Sequence, residues 1–226
     1  MRRFWKDVAI VDRAIRLDDR PVKTPARAAL VLPTDILARA VAEEWRAVGE
    51  EVDPRSMPFT GLANAAIDIV SPAPAPFAAN LARYAGTDLL CYRATMPEPL
   101  VVRQAMTWDP LLAWARGRYD IHFELVEGVM HRPQPPATLD RLGEAVHARG
   151  AFALAALAPI VTISGSLVAA LALIEGAVDV ETVWRASQLD EDWQAEMWGD
   201  DPLAAGARNE RHRDLHAAAR FLEMLG

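Results

Sequence analysis

Cysteine is almost absent from these 226 residues: Cys91 stands alone, which excludes an intramolecular disulfide and any cysteine-rich zinc site. In the run TDLLCYRA, Thr87–Ala94, it takes the place of a buried strand residue, not a reactive thiol. Positive charge is also short. Lys and Arg number 24 against 31 Asp and Glu, a net charge of -7, with a pI near 5.3. That balance argues against a nucleic-acid binder, which needs a basic footprint, and against docking on an anionic membrane. There is no glycine-rich phosphate loop. Ser164 and Ser166 lack the flanking glycines of a nucleophile elbow. His122, His131 and His147 have no serine or cysteine arrangement around them. His212 and His216 are four apart on a predicted helix, but Arg213 stands where a metalloprotease helix carries glutamate. Arg211 and Arg213 would repel a cation, so the pair reads as a solvated helix face. No metal and no cofactor is expected.

Charge is missing altogether between Arg149 and Glu175. The gap is long enough for a membrane span at the ~20 residues required, but it is rich in Ala and broken by Pro159 and Ser164-Gly165-Ser166. It reads instead as two buried helices, the second capped by Ser164 or Ser166. The N-terminus, MRRFWKDVAI, has no apolar core followed by a small-residue cleavage site, so the expected compartment is the bacterial cytoplasm.

What is present is a chain rich enough in apolar residues (52%) to bury a sizeable core. Short apolar runs at Trp5–Ile10, Ile15–Leu17, Val22 and Leu30–Leu32 predict strands, with a hairpin turn at Asp18–Asp19. Thr34 is placed to cap a helix that runs to Gly49. A second helix is expected from about Thr60, broken by the connector SPAPAP, Ser71–Pro76. A short helix over Phe77–Tyr84 then leads into a strand over Thr87–Arg93. From Leu100 to Tyr119 the pattern is helical, with Asp109 capping a restart at Pro110. His122–Val129 is a short strand or extended loop, and the chain from Thr138 is helical. The fold class is α+β: a small N-terminal antiparallel sheet with covering helices over residues 1–95, then an all-α bundle over residues 96–226.

Seven tryptophans remain to be explained, and six fall on predicted helices. The stretch Ser187–Gly199, SQLDEDWQAEMWG, sets two of them against three consecutive acids, Asp190, Glu191 and Asp192. It belongs to a helix that starts near Asp179 and ends at Gly199. At ~100° per residue, Ala186, Leu189, Trp193 and Met197 share one arc, Asp190 and Gln194 border it, and Asp192 points away. Glu191 falls near Trp184 and Trp198. One reading is an ordinary amphipathic helix with tryptophan as core filler. The other is a contact surface, since indoles and buried polar groups anchor protein–protein interfaces. Asp190, Glu191, Trp193, Gln194 and Trp198 are its candidate partner-binding residues.

Seven blocks in order resemble the Atp-twelve family, assembly chaperones of the ATP synthase catalytic sector. They are RRFWKDV (Arg2–Val8), LDDRPVKTP (Leu17–Pro25), AVAEEW (Ala40–Trp45), MPFTGLANAAID (Met57–Asp68), TDLLCYRA, WDPLLAWA (Trp108–Ala115) and SQLDEDWQAEMWGDD (Ser187–Asp201). Asp19, Val48 and Trp193 depart from the family pattern without disturbing that order. The resemblance implies binding to the unassembled alpha subunit, release when the beta subunit displaces the chaperone, and neither catalysis nor stable membrane insertion. Two other classes stay open: a non-catalytic structural subunit of another complex, and a small enzyme using Asp190 and Glu191 as acid and base. Neighbours on a helix diverge by ~100°, which weighs against the enzyme.

Overall fold

The computed structural model describes residues 2–128, 130–199 and 202–226. Val129, at the end of the expected strand or loop, and Asp200 and Asp201, at the end of the acidic block, lie outside the described residues. In chain order the strands are β1 (Val8–Val11), β2 (Ala14–Leu17), β3 (Arg20–Pro21), β4 (Tyr92–Arg93) and β5 (Val126–Glu127). The α-helices among the described residues are α1 (Asp35–Ala47), α2 (Pro58–Ala65), α3 (Pro74–Ala82), α4 (Glu98–Tyr119), α5 (Pro136–His147), α6 (Ala151–Ser164), α7 (Leu167–Ile174), α8 (Val180–Trp198) and α9 (Pro202–Glu223). The class is α+β, a small N-terminal antiparallel sheet followed by a mostly helical region.

Two compact units form. One comprises the described residues up to Pro74 with Arg149–Ala156 and Ala217–Gly226; the other comprises Ala75–Ala148 and the described part of Leu157–His216. Sequence patterning assigns residues 1–95 to one domain and 96–226 to the next.

In the first unit, β1, β2 and β3 pair antiparallel in sequence order, with Val8 opposite Leu17 and Arg16 opposite Pro21. The β1–β2 turn is made by Asp12 and Arg13, both with positive φ, the primed-turn geometry that suits the twist of a hairpin. Asp18 also has positive φ, and its carboxylate accepts from the Lys6 and Asp7 amides, which ties the second turn to the chain entering β1. Leu30 and Leu32 do not form a strand of their own. They are buried beside single bridges, Ala14 to Val31 and Lys23 to Ala29. Helix α1 begins where expected, with Thr34 Oγ1 accepting from the Leu37 amide at 3.2 Å. Its apolar stripe (Leu37, Val41, Trp45) packs with Trp5, Ile15, Leu17, Phe221 and Met224 in one core.

Helix α2 starts at Pro58 without a cap of its own. Glu44 from α1 supplies it: the carboxylate accepts from the Phe59 and Thr60 amides and the Thr60 hydroxyl, each at 2.7 Å. Two sequence blocks that look independent, AVAEEW and MPFTGLANA, are therefore joined by one side chain. Burial raises the pKa of Glu44 while the Thr60 and Phe59 donors oppose the shift. Glu44→Ala orphans two helix N-terminal amides and should cost about 1–3 kcal/mol. Hydrogen exchange should quicken first at Phe59 and Thr60; unchanged protection there would remove Glu44 from the capping role.

From Ser71 onward several local expectations give way to packing. The connector over Ser71–Pro76 yields its last residues to α3, because Pro74 fits the first turn of a helix. Thr87–Arg93 is not a strand along its length. Asp88 caps a tight helical turn over Leu89–Cys91, Leu90 and Cys91 are buried in succession, and only Tyr92–Arg93 pair, in parallel, with Val126–Glu127. Burial raises the Cys91 thiol to about 12, so it is a packing residue and not a nucleophile. Helix α4 runs unbroken through Pro110. Asp109 does not cap a restart; it accepts from Arg93 at 2.7 Å. The uncharged stretch forms α6 and α7, and it is Ser166 that caps α7, accepting from the Ala169 amide at 3.0 Å. Among the described residues no helix is long and apolar enough to cross a membrane.

Candidate functional site

Helix α8 lies within the second unit and is bounded as its sequence predicts. Asp179 caps it by accepting from the Thr182 amide at 2.8 Å, and Gly199 ends it with positive φ. Val183, Trp184, Ala186, Gln188 and Leu189 are buried. The predicted apolar arc is buried only that far. Trp193 is half-buried, and Met197 and Trp198 are exposed, Trp198 by 79%. In the last turn of α8, Met197 and Trp198 are thus apolar side chains that the described residues leave uncovered.

Helix α4 packs antiparallel along α8. Trp108 Nε1 donates to the Ala186 carbonyl at 2.9 Å, and one turn earlier Gln104 Nε2 donates to Asp190 Oδ1 at 2.8 Å. Gln104 is 2% exposed, and its Oε1 accepts from the Ala94 amide at 2.8 Å. The amide therefore relays between the chain after β4 and the acidic row. One residue away, Arg103 holds Glu196 in a bidentate pair at 2.7 and 2.9 Å and lies 4.9 Å from the centre of the Trp193 ring. Its hydrogen bonds keep the Glu196 carboxyl below the usual range. Met106, Pro110, Trp114 and Leu189 line a cavity of about 580 Å³ beside this pair.

The other two acids face α9. Glu191 pairs with Arg211 at 2.9 Å, and Asp192 with Arg208 at 2.5 Å. Asp192 therefore has a partner that helical phase alone does not reveal. Arg208 also lies 5.7 Å from the Trp184 ring centre. The five candidate residues divide accordingly. Asp190 and Trp193 face α4, where Gln104 and Arg103 hold them. Glu191, Gln194 and Trp198 line a groove with Arg208 and Arg211. Sequence reasoning names Arg103 and Gln104 as helical residues and assigns Arg103 a structural ion pair, but it does not bring them to the acidic row. Exposed Val102 and Met106 on α4 add to the apolar surface of this unit.

The family model described as ATP12 chaperone protein matches residues 2–116, half of the chain. The chain belongs to the ATP12 chaperone family. Its fold matches the crystal structure of Atp12 from Paracoccus denitrificans, with 43% identity and a TM-score of 0.95 over all of this chain and 98% of that one. An aspartate-to-lysine mutant of the P. denitrificans protein matches equally, with 42% identity, a TM-score of 0.95, and coverage of 100% and 98%. Among curated proteins, mitochondrial atp12 of Schizosaccharomyces pombe is 24% identical, covering 98% of this chain and 81% of its own. The ATP12 family is a family of ATP synthase assembly chaperones.

Proposed function

We propose that this chaperone binds the free alpha subunit of the ATP synthase catalytic sector in the cytoplasm and shields its beta-facing surface until the beta subunit displaces it. Family membership supports the assembly role. The observation that carries the client-binding reading is the state of α8: Met197 and Trp198 lie open, and Trp198 shares its groove with Glu191, whose partner is the half-exposed Arg211. An isolated subunit of an obligate complex exposes a large apolar surface and tends to aggregate. Indoles and a methionine cover such a surface, and methionine adapts to irregular partners. Salt bridges at the solvent edge are worth at most about 1 kcal/mol, so a client cation exchanges with Arg211 on Glu191 at low cost. Release needs that polar, displaceable character. The task requires no nucleotide and no bond-breaking step.

Pull-down against separately expressed alpha subunit, beta subunit and assembled hexamer tests the client. Free alpha should be retained and the hexamer should not; equal retention of the hexamer sinks the proposal. Lysine reversals then test the face. Glu191→Lys should weaken alpha binding by about tenfold or more, the effect of reversing a charge at an interface. Its melting temperature should hold, because only a rim pair is lost. Asp190→Lys should weaken binding and also lower the melt, since it breaks the Gln104 relay. Asp192→Lys should matter least for binding. Full affinity in Glu191→Lys and Asp190→Lys would move the client site off α8.

A further inference from the structure

Three side chains outside that face converge on one point within the second unit. Glu181 stands in the first turn of α8; His212 and His216, one turn apart, stand on α9. The two Nε2 atoms are 3.1 Å apart, and Glu181 Oε1 lies 3.5 Å from the first and 3.0 Å from the second. We propose that Glu181, His212 and His216 form a binding site for a zinc-class divalent transition metal that clips the start of α8 to α9.

The triangle of donor atoms carries the inference. Zinc bonds imidazole nitrogen and carboxylate oxygen at ~2.0–2.2 Å, so two ligands on a tetrahedral ion stand ~3.3 Å apart. All three observed edges fall within a few tenths of an ångström of that value. Two imidazoles and one carboxylate leave a fourth position for water, and the three residues are half-buried to exposed, so an ion enters without opening the fold. Nitrogen donors favour zinc, nickel or copper over magnesium. The His212 ring also stands edge-on to Trp184, 4.8 Å between centres at 77°, which holds its orientation.

The neighbouring cations on α9 are each paired with an acid. Arg208 pairs with Asp192, Arg211 with Glu191, and Arg213 lies 3.8 Å from Glu210. Arg185, one turn after Glu181, donates to the Thr182 hydroxyl at 3.2 Å. The repulsion that the sequence suggests at Arg211 and Arg213 is thus largely offset by acids. Glu181 is the ligand that sequence spacing cannot supply, because it arrives from another helix. A bound ion would also brace the helix that presents Arg208 and Arg211 to the acidic row.

The test uses the full chain without a histidine tag. Equilibrium dialysis with zinc chloride should give one Zn²⁺ per chain, and zinc but not magnesium should raise the melting temperature. His216→Gln and Glu181→Gln should each weaken zinc binding by at least ~10-fold, since even a group behind a ligand is worth ~10–100-fold. Their circular dichroism without metal should match the parent. Cobalt(II) on the parent protein gives a reading independent of any variant: intense tetrahedral visible bands are expected. No stoichiometric uptake, zinc binding unchanged in the His212→Gln/His216→Gln double variant, or an absent cobalt spectrum would each overturn the site.

Discussion

Trp45→Arg is expected to destabilise the first unit by at least about 4 kcal/mol, lowering the melting temperature by roughly 10 °C or more. Trp45 is 8% exposed on the core-facing stripe of α1, with its ring 5.4 Å from Trp5 in an edge-to-face contact. Arginine in its place loses the packing of a large aromatic side chain and brings a guanidinium into that core. An unpaired buried charge adds several kcal/mol to the lost packing. Trp5 Nε1 donates to the Trp45 carbonyl, a backbone atom that survives the substitution. The Trp45 indole nitrogen has no hydrogen-bond partner among the described residues, so its contribution is apolar area and shape. Trp45→Phe should therefore cost far less than Trp45→Arg. Thermal melts of both variants decide the matter; equal, small shifts would place the ring at the surface.

Asp88 should be the most sensitive polar residue of the second unit. It is fully buried, caps the turn at Leu90, and reaches the start of α7, where Oδ2 accepts from the Val168 amide at 2.9 Å. Asp88→Ala leaves those amides without acceptors inside the unit and should cost about 3–5 kcal/mol. Its pH dependence is the sharper test. Burial pushes the Asp88 carboxyl up to about 6, while the Val168, Ser166, Leu90 and Leu167 donors pull the other way. A raised folded-state pKa means the native protein keeps a proton that the unfolded chain has released between about pH 4 and 6. The associated stability is present in full below that window and is lost as pH rises through about 6. From pH 7 to pH 5 the cost of Asp88→Ala should thus grow by about 1 kcal/mol in urea unfolding. A cost that is larger at pH 7 would mean the four donors win over burial and hold the carboxyl below its ordinary value.

Both residues show how far a sequence reading reaches. Trp45 was legible as structural, because Leu37, Val41 and Trp45 repeat at helical spacing behind a Thr34 cap. Asp88 was not. The run Thr87–Arg93 is rich in strand-forming residues, and nothing local reveals that the α7 amides need its carboxylate 80 residues away. Pro110 misleads for the same reason. Asp109-Pro110 is a sound start signal in isolation, yet Gln104, Trp108, Leu111, Leu112 and Ala115 are all buried along one helix. That burial outweighs the ~3 kcal/mol that an interior proline costs.

The sequence by itself determined the fold class, the start of α1, both ends of α8, the cap of α7 as one of two serines, and the family. These rest on local stereochemistry: a hydroxyl or carboxylate that accepts from an amide two or three residues on, glycine at positive φ, and apolar spacing that repeats every turn. Tertiary structure alone decided which partner each acid of α8 takes. Asp190 meets Gln104 across 86 residues of chain, Glu191 meets Arg211, and Glu181 meets two histidines on α9. Helical phase states the direction in which a side chain leaves its own helix. Which helix stands opposite, and in what register, follows from burying apolar faces across the whole unit, and no local pattern records that choice.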